Sequence, residues 1–272
     1  MKKLPLNLII GTVLVSIVLG TAFLSLIWTP HNHALMNISE KFHHPNYIYL
    51  LGTDQLGRDV LSQLMAASRN SMIVALVAVL LGGSIGTLLG LLASAIGGWV
   101  EDLVMRVADI GFAFPALLFA IMLAAVFGPS LTNAVFAIAF INIPIFARIS
   151  RASGFQIWTR DFVLASRAAG VGRVVITFNH ILPNILAPII VQATIEFAVA
   201  ILAEAALSYL GLGAQPPAPS WGRMLSEAQT LMYLAPQLAI YPGICIMIAV
   251  LGFGLLGDGL RDITDPRLAK VR

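Results

Sequence analysis

The sequence predicts an all-α integral membrane protein with about six transmembrane helices and a short helix between two of them. The chain has 272 residues, of which 58% are hydrophobic and only 11% are charged. Soluble proteins carry about 25% charged residues, so this composition suits a lipid environment. In lipid each backbone polar group needs a partner within the protein, and long apolar helices supply one within a single segment. The net charge of +3 is too small to indicate a nucleic-acid partner.

Six segments are long and apolar enough to be transmembrane helices, which need about 20 mostly apolar residues. They are 6–28, 72–97, 103–127, 131–147, 185–210 and 235–256. The first follows a lysine pair, as a signal peptide would, but it is too long for a signal h-region and lacks a small-residue cleavage site. We therefore interpret it as a retained helix. The fourth segment is short and contains Pro144.

The basic residues predict the orientation, because cytoplasmic segments of membrane proteins are enriched in Lys and Arg. With six spans both termini lie on the same side. If that side is the cytoplasm, 12 of the 16 basic residues fall in inner segments. Only four fall in outer segments, namely Lys41, Arg58, Arg69 and Arg223. The sequence therefore predicts a multi-pass membrane protein with both termini in the cytoplasm.

The expected organisation has two parts. Residues 1–71 would form an N-terminal transmembrane helix and an extracytoplasmic segment, and residues 72–272 a core domain. Within the core, the connection 148–184 carries five arginines and would be cytoplasmic.

A short helix is expected within this connection. Thr159 can cap a helix that begins near Arg160, and Gly170 is suited to end it. The small residues between them would make a narrow helix, able to enter a groove on a partner protein. The alternative is an amphipathic helix that lies on lipid headgroups.

Three acidic residues fall within or near the predicted spans. Glu196 and Glu204 are eight residues apart and lie on roughly one helix face. They are candidates to line a solute path, since a charge at membrane depth normally faces protein or a water-filled cavity. The alternative is hydrogen bonding between helices. Asp109 could pair with Arg106, one turn away.

Other motifs have structural interpretations. Gly82, Gly86 and Gly90 recur on one helix face and favour close helix packing, as do the glycines of the GxGxxG string at 252–257. No P-loop is present. Four of the five histidines lie between residues 31 and 44, but their spacing matches no standard metal site, so no metal site is predicted.

Residues 164–170 are Leu-Ala-Ser-Arg-Ala-Ala-Gly, and His180-Ile-Leu-Pro183 follows them. Together these residues resemble the EAA loop of binding-protein-dependent ABC importer permeases. Leu164 stands where the general pattern has Glu, Ser166 where it has Ala, and the gap to Ile-Leu-Pro is slightly longer. A specific acidic contact at position 164 is therefore impossible. Three further strings are similar to the dipeptide/oligopeptide/nickel subfamily, with the C-type subunit the nearest match. They are 51–60, 208–222 and 257–267.

This resemblance implies a type I ABC importer permease of the bacterial inner membrane, which has no ATPase site of its own and is not an enzyme. Its implied partners are a homologous permease, two cytoplasmic ATPases that use ATP and Mg, and an extracytoplasmic solute-binding protein. The substrates would be dipeptides or oligopeptides, with nickel or a metal chelate as the alternative. An ion-gradient-driven transporter that uses Glu196 or Glu204 is the less favoured class.

The resemblance also assigns roles to residues. The helix that would couple to the ATPases contributes Arg160, Asp161, Leu164, Ala165, Ser166, Arg167, Ala168 and Gly170. Asp54, Arg58 and Trp221 are the candidates for contact with the binding protein or the partner permease, although packing is the preferred interpretation of the glycine-rich turns around them.

Overall fold

Helices dominate the architecture of residues 5–264, the part of the chain that the computed structural model describes. In chain order they are α1 (Leu6–Ile27), α2 (Val60–Ile96), α3 (Gly98–Ala113), α4 (Ala116–Phe127), α5 (Leu131–Trp158), α6 (Asp161–Ala168), α7 (Arg173–Ile176), α8 (Leu182–Tyr209), α9 (Trp221–Ala228) and α10 (Gln237–Thr264). A π-helical turn, Thr177–Ile181, joins α7 to α8 without a break. The motif residues 265–267 and the terminal lysines lie outside the described range.

The membrane-protein prediction is confirmed. Five helices between residues 5 and 264 are long and apolar enough to cross a membrane: α1, α2, α5, α10 and the continuous helix Arg173–Tyr209. The bent pair α3–α4 brings the number to six if it counts as one span.

The predicted third span is not one straight helix. α3 and α4 meet at an angle of 82°, and the break falls at Phe114 and Pro115. Phe114 is extended, with φ −89° and ψ 117°, because the ring of a following proline disfavours the helical conformation.

Three other predicted limits are corrected. α2 begins at Val60, since Asp59 Oδ2 accepts a hydrogen bond from Ser62 N at 3.0 Å and caps the helix. α5 continues through Pro144 to Trp158. The helix that contains the fifth predicted span begins at Arg173, well before residue 185. The expected division between residues 71 and 72 falls inside α2 and stays a prediction.

α2 packs most extensively against α5, and the spaced glycines make this contact close. A Cβ atom added at Gly82 or Gly86 would lie 2.3 Å from a carbonyl oxygen of α5, that of Ala139 or Ile143. Only glycine permits this approach, so the predicted role of these residues in helix packing is confirmed. The GxGxxG glycines likewise lie within α10, where Gly252 packs against α1.

The buried apolar side chains form two separate groups. The larger follows α1, α2, α5, α8, α9 and α10. The smaller, here called the α6 cluster, consists of Leu91, Val163, Ile176, Ile181 and Ile185. It lies beneath α6, at the end of α2 that precedes α3, and it connects α6 to two of the long helices.

Candidate functional site

The short predicted helix is present as α6, Asp161–Ala168, with limits close to those expected. Asp161 lies in its first turn and Arg167 in its last, and both charges are favourable there because they oppose the partial charges of the helix ends. Gly170 follows with φ +80°. Its N–H donates to Arg167 O at 3.0 Å and that of Val171 to Ser166 O at 3.1 Å, which ends the helix as predicted.

The cap of α6 differs from the expectation. Thr159 ends α5, and its hydroxyl donates to Gln156 O at 3.1 Å. Arg160 takes the N-cap position, where its side chain makes no capping hydrogen bond. The prediction that Thr159 caps α6 was therefore wrong, because α5 extends further than its hydropathy indicates and leaves only two residues between the two helices.

The residues proposed to face a partner are accessible. Of these eight residues, Ser166 is half-buried and the other seven are exposed, namely Arg160, Asp161, Leu164, Ala165, Arg167, Ala168 and Gly170. Ser166 Oγ donates to Phe162 O at 2.9 Å and lies 3.5 Å from His180 Nε2. α6 therefore presents a short surface of small and charged side chains at one end of the helix bundle.

Two arginines near α6 make hydrogen bonds or ion pairs with neighbouring helices. Arg173 Nη1 donates to Ala95 O and Ile96 O at 3.3 and 3.4 Å, and so caps the last turn of α2. Arg151 of α5 pairs with Glu101 of α3. These contacts give two of the five arginines in this connection an intrachain role.

Asp109 does not pair with Arg106. Arg148 Nη2 lies 2.5 Å from Asp109 Oδ1, and the same guanidinium lies over the ring of Phe112 at 4.2 Å from the centroid. This ion pair joins α3 to α5, and it is mostly solvent-exposed in the isolated chain.

A second polar network lies at the opposite end of the bundle, where the α1–α2 connection meets α9. Asp54 Oδ1 accepts hydrogen bonds from the backbone N–H groups of Leu56 and Arg58, both at 2.9 Å. Arg58 Nε donates to Asp54 Oδ2 at 2.6 Å, and its Nη2 donates to Glu227 Oε2 at 2.7 Å. Burial acts to lower the pKa of Arg58, but the carboxylates of Asp54 and Glu227 outweigh it and raise the pKa above its ordinary value.

Trp221, the first residue of α9, is buried within the chain. Its exposed fraction is 2%, and Nε1 donates to Leu64 O of α2 at 3.3 Å. The next residue, Gly222, packs so closely on α8 that an added Cβ would lie 2.0 Å from Ala205 O. Asp54 and Trp221 thus pack inside one chain, and their contact with another protein stays a prediction.

The two membrane-embedded glutamates have different surroundings. Glu204 is 0% exposed, and its carboxylate accepts hydrogen bonds from Ser71 and Ser208, both at 2.7 Å. Glu196 accepts one from Gln192 Nε2 at 2.7 Å within the same helix. The hydrogen-bonded alternative therefore suits Glu204 better than a place on a solute path.

The histidines of the α1–α2 connection are dispersed in local contacts. His31 Nδ1 lies 3.5 Å from Asp59 Oδ2, and His43 Nδ1 lies 2.9 Å from Asn46 Nδ2. Among the residues that the structure describes, no group of three His, Cys, Asp or Glu side chains could hold a metal ion.

Sequence reasoning missed Glu227 and Val163. Glu227 is the partner of Arg58, and its spacing of four from Arg223, with which it also pairs at 2.8 Å, is the local signal that could have identified it. Val163 has no such signal, because the sequence does not distinguish it from Phe162 and Leu164 as the buried residue of α6.

Known proteins resemble this chain over most of its length. Residues 86–270 match the family described as binding-protein-dependent transport system inner membrane component. The dipeptide transport system permease protein DppC of Alkalihalophilus pseudofirmus is 43% identical over 96% of this chain and 86% of its own length. The di/tripeptide transport system permease protein DppC of Pseudomonas aeruginosa is 46% identical over 81% of this chain and 73% of its own. The glutathione transport system permease protein GsiD of Pectobacterium atrosepticum is 43% identical, with coverages of 82% and 74%.

A solved structure shows the same fold. A chain of the MetNI methionine ABC transporter in an inward-facing conformation superposes with a TM-score of 0.62 at 20% sequence identity. The match covers 75% of this chain and 97% of that one. At this identity the likeness concerns the fold alone.

Proposed function

Because the chain belongs to the family of binding-protein-dependent transport system inner membrane components, we propose that it pairs with a homologous permease subunit to form a path for small peptides. The chain is a transport subunit of an ABC importer and not an enzyme. Two separate ATPase subunits, which use ATP and Mg, would drive it. A solute-binding protein would deliver the substrate.

The exposed face of α6 is the single observation that carries this proposal. α6 lies at one end of the bundle, its small side chains allow close approach, and the exposed Arg160 and Arg167 can pair with acidic groups of an ATPase subunit. Closure of the two ATPases on ATP would displace α6. The spans would then change between outward and inward openings as a rigid-body movement between discrete packings.

The proposed orientation places α6 in the cytoplasm and α9 on the opposite side. Leu64, which meets α9, and Leu91, which meets α6, are about 40 Å apart along α2 at 1.5 Å per residue. This distance is comparable to the full thickness of a bilayer. The predicted inner segments, which include the connection that carries α6, hold most of the basic residues. This excess supports a cytoplasmic location for this end of the bundle and for both termini.

The proposed substrates are dipeptides, other oligopeptides or related small solutes. Support comes from the relatives named above, whose names include dipeptides, di/tripeptides and glutathione. We keep 72–272 as the proposed core domain, since the family match at 86–270 falls within it. Residues 1–71 would be the N-terminal helix and the extracytoplasmic segment.

Of the two glutamates, Glu196 remains our proposal for a path-lining residue. Glu204 contributes instead to the bundle interior. Asp54, Arg58 and Trp221 would hold the extracytoplasmic surface in shape, with Arg58 as the proposed contact with the binding protein or the partner permease, since its side chain remains 14% exposed.

The test is affinity purification of the tagged chain in mild detergent, followed by mass spectrometry of the proteins that accompany it. We expect a second permease and ATPase subunits, and peptide uptake in proteoliposomes that requires ATP and the binding protein. Recovery of the chain alone, still active in uptake driven by an ion gradient, would contradict the proposal.

A further inference from the structure

α6 is attached to the rest of the protein by one fully buried side chain. Val163 is 0% exposed, whereas its neighbours Phe162 and Leu164 are 45% and 46% exposed. It is the only buried residue of α6. The face that could meet a partner and the face that holds α6 in place are therefore different.

Val163 packs into the α6 cluster, whose other members belong to the elements that continue into the long helices. Leu91 lies on α2, Ile176 on α7, Ile181 in the π-helical turn and Ile185 on α8. All are at most 2% exposed. The half-buried Ile189 of α8 packs against both this cluster and the larger apolar core. α6 is therefore connected to the long helices through a small, closely packed group.

A second contact lies beside the first. The rings of Phe162 and His180 meet edge-to-face with centroids 6.1 Å apart, and Ser166 Oγ lies 3.5 Å from His180 Nε2. His180 belongs to the π-helical turn Thr177–Ile181. This geometry is rare in proteins overall, but where it occurs it is often at a functional site. Both contacts thus reach the same segment, near the start of the helix that contains the fifth span.

We infer that Val163 is the positioning residue through which movement of α6 is passed to α2 and α8, separately from the docking of an ATPase subunit. This inference rests on the proposed function. Close-packed interiors are nearly incompressible, so a displaced valine must move the leucine and isoleucines around it. Removal of its methyl groups would leave a gap that absorbs the movement while the exposed docking face stays intact.

The experiment compares Val163→Ala with Val174→Ala in the full importer, reconstituted in proteoliposomes with its binding protein. Val174 is the matched control, because it lies close to α6 and carries the same side chain but is 70% exposed. Three quantities are measured: ATPase subunits bound per permease, the rate of ATP hydrolysis, and peptide taken up per ATP hydrolysed.

For Val163→Ala we expect ATPase binding at the wild-type level and continued hydrolysis, with uptake per ATP reduced about tenfold, a change within the range for residues that couple two sites. Val174→Ala should keep the wild-type ratio. A wild-type ratio in Val163→Ala, or an equal loss in Val174→Ala, would overturn the inference. Loss of bound ATPases from Val163→Ala at normal membrane yield would also overturn it.

Leu91→Ala replaces Val163→Ala if that variant does not accumulate in the membrane, since Leu91 is another buried member of the α6 cluster. The same reduction in uptake per ATP would support the inference, and an unchanged ratio would contradict it. Absence of ATPases from the wild-type preparation would refute the proposed function itself, which distinguishes that failure from failure of the role of Val163.

Discussion

Ser71 Oγ on α2 donates a hydrogen bond of 2.7 Å to the Glu204 carboxylate on α8, in a site from which solvent is excluded. The same carboxylate accepts from Ser208 one turn later. Each carboxylate oxygen of Glu204 therefore has a hydrogen-bond donor within the chain, as suits a polar group at membrane depth. An acidic residue that looks functional in the sequence is, in the folded chain, a connection between two long helices.

The first prediction concerns Glu204. Glu204→Gln keeps a hydrogen-bonding group toward both serines, so we expect ATP-driven uptake to be retained. Glu204→Leu leaves the hydroxyls of Ser71 and Ser208 without their acceptor and should lower the free energy of unfolding by about 1–3 kcal/mol. Thermal unfolding in detergent and uptake in proteoliposomes measure the two effects. Complete loss of uptake in Glu204→Gln, with the ATPases still bound, would favour an ion-gradient mechanism.

The second prediction concerns the end of α6. Gly170 has φ +80°, so Gly170→Ala places a side chain in the left-handed region, at about 1–2 kcal/mol of strain. We expect reduced ATPase co-purification and reduced uptake, with membrane insertion unchanged. Gly172→Ala is the matched control, since Gly172 has φ −67° and an added Cβ has no atom within 4 Å. Bulky residues at Ala168 should act like Gly170→Ala. Normal ATPase recovery and uptake in these variants would rule out docking through α6.

The third prediction concerns the contact between α2 and α5. Gly86→Ala would place a Cβ 2.3 Å from Ile143 O, and the helices must separate to relieve the clash. Such overpacking costs about 1–3 kcal/mol, which thermal unfolding of the purified chain should detect. Gly254→Ala, within α10, meets no atom within 4 Å and should leave the unfolding temperature unchanged or raise it. Equal effects of the two substitutions would show that helix propensity, and not packing, dominates.

The fourth prediction concerns the network at the α9 end. Glu227→Gln removes the charge that both Arg58 and Arg223 contact. Because these groups are partly exposed, we expect a loss of only about 1 kcal/mol in the free energy of unfolding. The α1–α2 connection should also become more susceptible to protease. In a double-mutant cycle with Arg58→Gln, the two losses should add to more than the loss in the double variant. Strict additivity would show that the ion pair contributes nothing measurable.

Much of the fold follows from the sequence because hydropathy is a local property. The six apolar segments, the short helix near residues 160–170 and the stop at Gly170 all rest on residues adjacent in the chain. The residues at which the helices begin and end were harder to predict. The fourth predicted span ended at residue 147, yet α5 continues to Trp158, packed against α2. Pro115, within an apolar run, instead breaks the predicted third span, since its predecessor is extended.

The sequence by itself determined the membrane class, the approximate spans and, through the strings at 51–60, 164–170 and 208–222, the resemblance to ABC importer permeases. Only the tertiary structure decided that Glu204 bonds to Ser71, that Arg58 pairs with Glu227 and that Val163 is the buried side chain of α6. The reason is physical. Hydropathy and turn signals act between neighbours in the chain, whereas burial and hydrogen bonding depend on which distant helices come together.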